Sequence, residues 1–480
     1  MAIPIPAGTD YIAGMEDIPK VRFDAIAGYA RQPQAALFGK ELSYHQADGG
    51  QVTGIVMRDN ADGDYFGLVF ARDAKLRFRN VAITPFVATA AGASGDLANA
   101  LDEAAAAPPE THHQADEKGA PVDFFTPVRP RDQLNPAFVT LIEDESFSPA
   151  CGIIEPMMRW YEDADGNFVE QFQTTGFDQR IWELYLFATF IEQGFLLDRA
   201  EAVPDFDCQG LAGRFTAEAV TVGPTRVGSK VVPPPEMDTP VKLKAYLEHY
   251  LPIKFGSSLT SKLRKRYWDR DNVKGAPFAL AIADFSSPGS MMHSSSSLER
   301  YLYGYSHDAE RDAEGRLTVT PRRIVEHQFG DKAPVPSGFF DLPDAENVSA
   351  VLTTASGTIS KFNRMGLLAG FGSGRVAMVR EGTAVDHDPD ATVPKMFRGL
   401  VNSPDYSETW VEGFNVFHNP RAVERLGTEM LPNAAHHFIS PTGERASRVP
   451  PFHPFASVTR QWAPVDVEAL IAEARAAAAC

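Results

Sequence analysis

Between Ile181 and Ile191, nine of eleven residues are apolar, and only Glu183 and Thr189 interrupt the run. A helix apolar on nearly every face has to be buried. Glu183 travels with it, and a carboxylate in a core is costly unless a metal or a cation compensates its charge. Gly194 supplies the glycine that ends such a helix. Two strand-like runs follow, AVPDFDC over Ala202 to Cys208 and RFTAEAVTV over Arg214 to Val222. Alternate side chains of a strand share a face, so Asp205 and Asp207 point one way, and Glu218 shares a face with Thr216 and Val220. A hairpin through Gly210 and Gly213 sets Asp205 beside Glu218, and Glu183 then becomes the third carboxylate of one cluster. Hard oxygen donors in that arrangement suit Mg²⁺ or Mn²⁺ better than zinc.

A helix with Glu, a strand with Pro-Asp and a strand with Glu resembles the core of the PD-(D/E)XK nucleases, the restriction-endonuclease-like superfamily. The resemblance covers about residues 175 to 290 and implies an αβββαβ core in a chain that is α/β there and α+β overall. It implies Asp205 and Glu218 as metal ligands, with Glu183 as a third or indirect one. The resemblance also implies that a hard cation would lower the pKa of a water, which would attack phosphorus in line with the departing 3′ oxygen and leave a 5′-phosphate and a 3′-hydroxyl. The family's lysine belongs two residues after the glutamate, where this chain has Val220. Valine can neither steady phosphate charge nor help to activate water, so the lysine has to come from elsewhere. Lys262 and Lys265, in the helix-like SLTSKLRKRYWDR, are the candidates, with Lys230 as a looser third. Arg264, Arg266 and Arg270 in the same run would hold the nucleic-acid backbone. As a whole the chain also resembles large bacterial proteins, which adds no chemistry.

A net charge of −18 argues at first sight against a nucleic-acid partner. Distribution matters more: Lys254 to Lys274 holds seven Lys or Arg against Asp269 and Asp271, a local +5. Such a segment can form a phosphate-facing wall, and DNA is the expected partner, alongside a second copy of the chain or a defence-system protein. Three cysteines without a CxxC pair argue against a zinc ribbon or a disulfide framework and fit a reducing cytoplasm. No apolar run reaches the roughly 18 residues of a membrane span, so no membrane is expected.

The order of elements suggests four parts. Residues 1–95 form a β-rich unit in which DNADGD, flanked by alternating runs, marks a hairpin loop. Residues 96–120, rich in Ala, Pro, Glu and His, are expected to be a linker with some helix, and His112 and His113 to be solvated. Residues 121–345 hold the nuclease-like part. It includes a turn at Asp163 to Gly166, two helices over KLKAYLEHYL and SLTSKLRKRYW, and the buried strand PFALAIADF. The SSSS run that follows is expected to be a flexible gate or a helix start capped by Ser297 or a neighbour. Residues 346–480 form a C-terminal α/β extension in which a strand precedes the glycine-rich GLLAGFGSG, which lacks phosphate-loop spacing. In the last hundred residues His418, His436, His437 and His453 show no zinc spacing and are expected to pack or lie on the surface, and EALIAEARAAAAC closes the chain as a helix.

Each site residue also has a plainer reading. Glu183 can pair with Arg180 one turn earlier, and KLRKRYW can be the solvated face of a helix with Tyr267 and Trp268 packed beneath. Val220 favours one alternative above others: a nuclease-like fold that has lost catalysis and serves as a nucleic-acid or protein scaffold.

Overall fold

In the computed structural model, which describes residues 14–161, 166–199, 201–228, 230–331 and 333–478, DNADGD closes a hairpin. Asp59 and Asp62 accept hydrogen bonds from the backbone N–H groups of Ala61 and Asp64, and Gly63 takes the positive φ that the loop requires. The hairpin joins the middle of a five-stranded antiparallel sheet ordered β1 (Glu16–Asp17), β2 (Gly39–Ala47), β3 (Val52–Asp59), β4 (Tyr65–Arg72) and β5 (Phe78–Ile83). Helix α1 (Ala90–Ala106), capped by Thr89, buries Ala93, Leu97 and Leu101 against Val52, Val56 and Val69. The first part of the expected linker is therefore core helix, because leucines at positions 97 and 101 share one helical face. His112 is buried and meets the Ala104 carbonyl at 3.0 Å, so only His113 is solvated. These elements belong to the first of two compact units, Met1–Phe124 with Gly152–Glu162 and Leu368–Phe371. The turn expected at Asp163 to Gly166 falls largely outside the described residues, as does Cys480.

The second unit comprises Phe125–Cys151, Asp163–Leu367 and Gly372–Cys480, and it is mixed α+β. Helix α2 (Phe177–Glu192) buries both the apolar run and Glu183, and Gly194 follows its end with φ +84°. Strands β6 (Leu196–Asp198), β7 (Phe206–Gly210) and β8 (Gly213–Val222) then form an antiparallel meander, with Gly210 opposite Gly213 as expected. Helix α3 (Leu251–Leu263) leads to β9 (Phe278–Asp284), which lies parallel to β8 and is buried at all seven positions. A π-helical turn at Tyr246–Tyr250 precedes α3, where Pro252 lacks the N–H that would bond Glu248. The Nδ1–H of His327 bonds that carbonyl instead, at 2.9 Å.

Helix α4 (Ser294–Tyr303) begins within the serine run, but His293 occupies the cap position and Ser297 lies inside the helix. The sheet then continues into residues 346–480, the expected C-terminal extension. Strand β10 (Ala350–Thr354) pairs in parallel with β9. The strand and the glycine-rich loop expected next are separated by helix α5 (Ile359–Leu368). Strands β11 (Ala377–Ala384) and β12 (Lys395–Leu400) start a second sheet, while β13 (Phe414–His418), β14 (Ala435–Ile439) and β15 (Arg445–Arg448) complete the first. Its order is β15-β14-β13-β10-β9-β8-β7-β6. Strand β16 (Pro454–Trp462) pairs with β11, and α6 (Val467–Ala478) follows, as the terminal alanine-rich run predicts. Among the described residues, no helix is long and apolar enough to cross a membrane.

A buried ion network ties α5 to β11. Glu408 receives Lys361 at 2.6 Å, Arg364 at 2.8 Å, Arg380 at 3.2 Å and the Tyr406 hydroxyl at 2.7 Å, and Arg380 also reaches Glu412. Burial acts to raise the Glu408 carboxyl, but Arg364, Lys361 and Arg380 outweigh it and hold it well below the usual carboxylate range. Removing the central charge takes the ion-pair partner from buried Lys361 and Arg364, so Glu408→Gln is expected to destabilise the fold by about 3–5 kcal/mol. The check is the urea unfolding midpoint against wild type, and an unchanged midpoint contradicts the assignment.

Candidate functional site

Strand β8 separates two helical layers. Its even-numbered side chains Val220 and Val222 pack with Phe255, Leu259 and Leu263 of α3. Its odd-numbered ones face α2: the Phe215 ring lies 5.3 Å from that of Phe190, and the Thr221 hydroxyl donates to Gln179 at 2.7 Å. Glu218 therefore belongs to the α3 face and Glu183 to the α2 face.

Asp205 stands just before β7, where the register of Phe206 with Ala217 brings it level with Glu218. Its Oδ2 accepts the Ala219 N–H at 2.8 Å, which holds the carboxyl close to the backbone of β8. Burial raises the Asp205 carboxyl well above its ordinary range, and the Glu218 and Glu183 carboxylates push it the same way. The Ala219 N–H and Lys262 oppose them. Both of the other expected carboxylates thus act on Asp205.

Their remaining partners distinguish them. Glu183 is 2 % exposed and engaged within its own helix: Arg180 donates to Oε2 at 2.7 Å and Gln179 to Oε1 at 2.9 Å. The pairing with Arg180 answers the cost of burying the charge, and Glu183 still acts on Asp205 as an electrostatic neighbour. Glu218 takes Lys262 Nζ at 2.6 Å and the Tyr267 hydroxyl at 2.7 Å, both on Oε1. Among the described residues, no donor meets Glu218 Oε2 or Asp205 Oδ1. Asp207, two residues on from Asp205, pairs with Arg214 of the Glu218 face at 2.7 Å, which fits the shared face expected of the two aspartates.

Of the three candidate lysines, only Lys262 reaches the carboxylates. Helix α3 ends at Leu263, and Arg266 takes a left-handed φ of +49° before a 3₁₀ turn at Tyr267–Asp269. The expected helix through KRYWDR is thus broken, and Lys265 lies exposed with its Nζ 6.0 Å from the centre of the Tyr267 ring. Lys230 pairs with Val227 on an exposed two-residue ribbon. Arg266 is committed to Asp269 and Asp344. Arg264 and Arg270 are exposed and, like Lys265, form no ion pair among the described residues. Arg270 lies near enough to the Tyr267 hydroxyl for its charge to act on it. Tyr267, which sequence reasoning treated as packing, is the residue that it missed. The only available signal was a buried tyrosine on a segment next to an acidic strand.

The donor set supports a limited metal fit. Asp205 Oδ1 and Glu218 Oε2 are hard oxygens that meet no donor among the described residues, and Mg²⁺ commonly takes one or two carboxylates and keeps several waters. Among the described residues, no group of three or more His, Cys, Asp or Glu side chains is arranged to hold a metal ion. A site here rests on two carboxylates, with Glu183 outside it.

The C-terminal histidines do come together, as a neutral hydrogen-bonded group. His436 Nε2 faces the Leu431 carbonyl at 2.9 Å and must donate, so its Nδ1 accepts from His418 Nε2 at 2.8 Å. His437 and His453 both address Asn415 Oδ1, at 2.9 and 3.0 Å. Burial lowers all four, His418 and His453 to about 4 and His437 to about 3, with neighbouring histidines adding to the shift in His418, His437 and His453. An unfolded histidine titrates near 6.5, so below that pH the unfolded state binds more protons. Stability from this group is complete above about pH 6.5 and is lost as pH falls towards about 4, by a few kcal/mol in total. Denaturant titrations from pH 7.5 to pH 4 should show this decline, and His453→Gln should flatten it; a flat wild-type curve rules it out.

No family model, curated protein or solved structure matches the chain, which leaves the chemistry of these residues as the ground for its function.

Proposed function

We propose that this protein is a divalent-metal-dependent nuclease that hydrolyses phosphodiester bonds of nucleic acid, DNA in the first instance. One observation carries the reading: Asp205 accepts the N–H of Ala219, the residue after Glu218, each carboxylate has one oxygen that meets no donor among the described residues, and Lys262 arrives from α3 on Glu218. The succession α2-β6-β7-β8-α3-β9, with a meander followed by a parallel strand, supports reading residues 177–284 as the αβββαβ core of the restriction-endonuclease-like fold. Val220, where the family has lysine, is 2 % exposed and packs in the core. Lys262 takes the missing lysine's place from the same face of the sheet.

Asp205 and Glu218 would hold Mg²⁺ or Mn²⁺. Such an ion, when bound, activates water for attack on phosphorus and offsets charge on the phosphate. Lys262 steadies the negative charge that accumulates on the phosphoryl oxygens. Lys265, Arg264 and Arg270 grip the flanking backbone as exposed cations, and the acidic remainder of the surface confines nucleic acid to that segment. Glu183, with Arg180 and Gln179, fixes the field behind Asp205.

A scaffold reading has its own support, because Lys262 and Glu218 already neutralise each other at 2.6 Å. Incubation of purified protein with plasmid and single-stranded DNA, with Mg²⁺ or Mn²⁺, separates the two. Cleavage is expected, with Asp205→Asn and Glu218→Gln each lowering its rate at least 100-fold while the unfolding temperature stays within a few degrees. Binding without cleavage, unaltered by either substitution, favours the scaffold.

A further inference from the structure

We infer that Tyr267 is a positioning residue that lets Lys262 exchange Glu218 for the substrate phosphate, an inference that rests on the nuclease reading. The same oxygen, Glu218 Oε1, receives two donors of different kinds. Lys262 is a flexible cation with 23 % of its side chain exposed. Tyr267 is a neutral donor 2 % exposed, its ring stacked on Phe278 at 5.3 Å and packed in the core beneath α3. One donor can swing away and the other cannot.

The two donors make different contributions when a dication approaches the oxygens of Asp205 and Glu218 that meet no donor among the described residues. The ammonium of Lys262 is repelled by the incoming like charge, whereas the hydroxyl carries no net charge to be repelled. With Tyr267 still bonded to Oε1, Glu218 keeps its orientation and does not lose its last donor as Lys262 departs. Lys262 is then free to meet a non-bridging phosphate oxygen. A lysine fixed two residues after the glutamate needs no such arrangement. A lysine borrowed from the neighbouring helix starts on the carboxylate itself, so a second donor is needed to hold Glu218 when it leaves.

The test is calorimetric titration of the full chain with Mn²⁺ alone, on wild type, Lys262→Met, Tyr267→Phe and the double variant, with DNA cleavage run alongside. Lys262→Met should bind Mn²⁺ at least tenfold more tightly than wild type and yet lose cleavage. Tyr267→Phe, which keeps the ring stack, should lower kcat at least tenfold with KM for DNA within threefold. In the Tyr267→Phe background, Lys262→Met should no longer tighten Mn²⁺ binding. The inference is overturned if Lys262→Met binds no more tightly than wild type, or if its gain persists without the tyrosine hydroxyl. Wild type that neither binds Mn²⁺ nor cuts DNA overturns the nuclease reading and this inference with it. Wild type that does both, with variants that fail the pattern, overturns only the exchange.

Discussion

Parallel pairing of β8 with β9 is the constraint from which the site follows. Two parallel neighbours cannot be joined by a hairpin, so the chain must leave the sheet, cross one face and return to the starting edge. Helix α3 and the turn after it form the last part of that crossover, and they lie on the face to which Glu218 points. Lys262 sits in the last turn of the helix and Tyr267 in the 3₁₀ turn beyond it, so both come down over Glu218. The antiparallel hairpin on the other side of β8 does the corresponding work for Asp205, because its register sets that residue level with Glu218.

Both ionic clusters of the second unit obey the same rule in different surroundings. Glu408 lies wholly inside and is surrounded by three cations, so every carboxylate oxygen is engaged and the group acts as a structural tie. Around Asp205 and Glu218 the donors are fewer, and one oxygen of each carboxylate has none among the described residues. A carboxylate left partly unanswered beside a second one is poorly placed for stability alone, and strongly perturbed acids in such settings mark functional sites more often than chance. Glu183 lies between the two cases: it is buried, satisfied by its own helix, and still felt by Asp205.

Much of this arrangement can be read locally. A run apolar on all sides fixed α2 as buried, Gly194 its end, Gly210 and Gly213 the hairpin, and the continuous apolar PFALAIADF a strand covered on both faces. Pairing of Glu183 with Arg180 was one of two readings that spacing left open, since residues three apart share a helical face. Harder to read were features set by the backbone at a single residue. The left-handed Arg266, just past the end of α3, turns the chain into the 3₁₀ turn that carries Tyr267, and the missing N–H of Pro252 widens the turn before α3. The division into four parts followed composition, which does not register that β10 and β13 to β15 complete a sheet begun far earlier in the chain.

By itself, then, the sequence determined α2, the β7–β8 hairpin and β9, and that Glu183 must be carried inward, because hydrophobic periodicity and turn residues act over a few positions. Only the tertiary structure decided which side of the sheet each carboxylate faces and which cation answers it. Those choices depend on strand register and on the crossover connection, which join residues 44 and 49 positions apart to the same oxygen atom of Glu218.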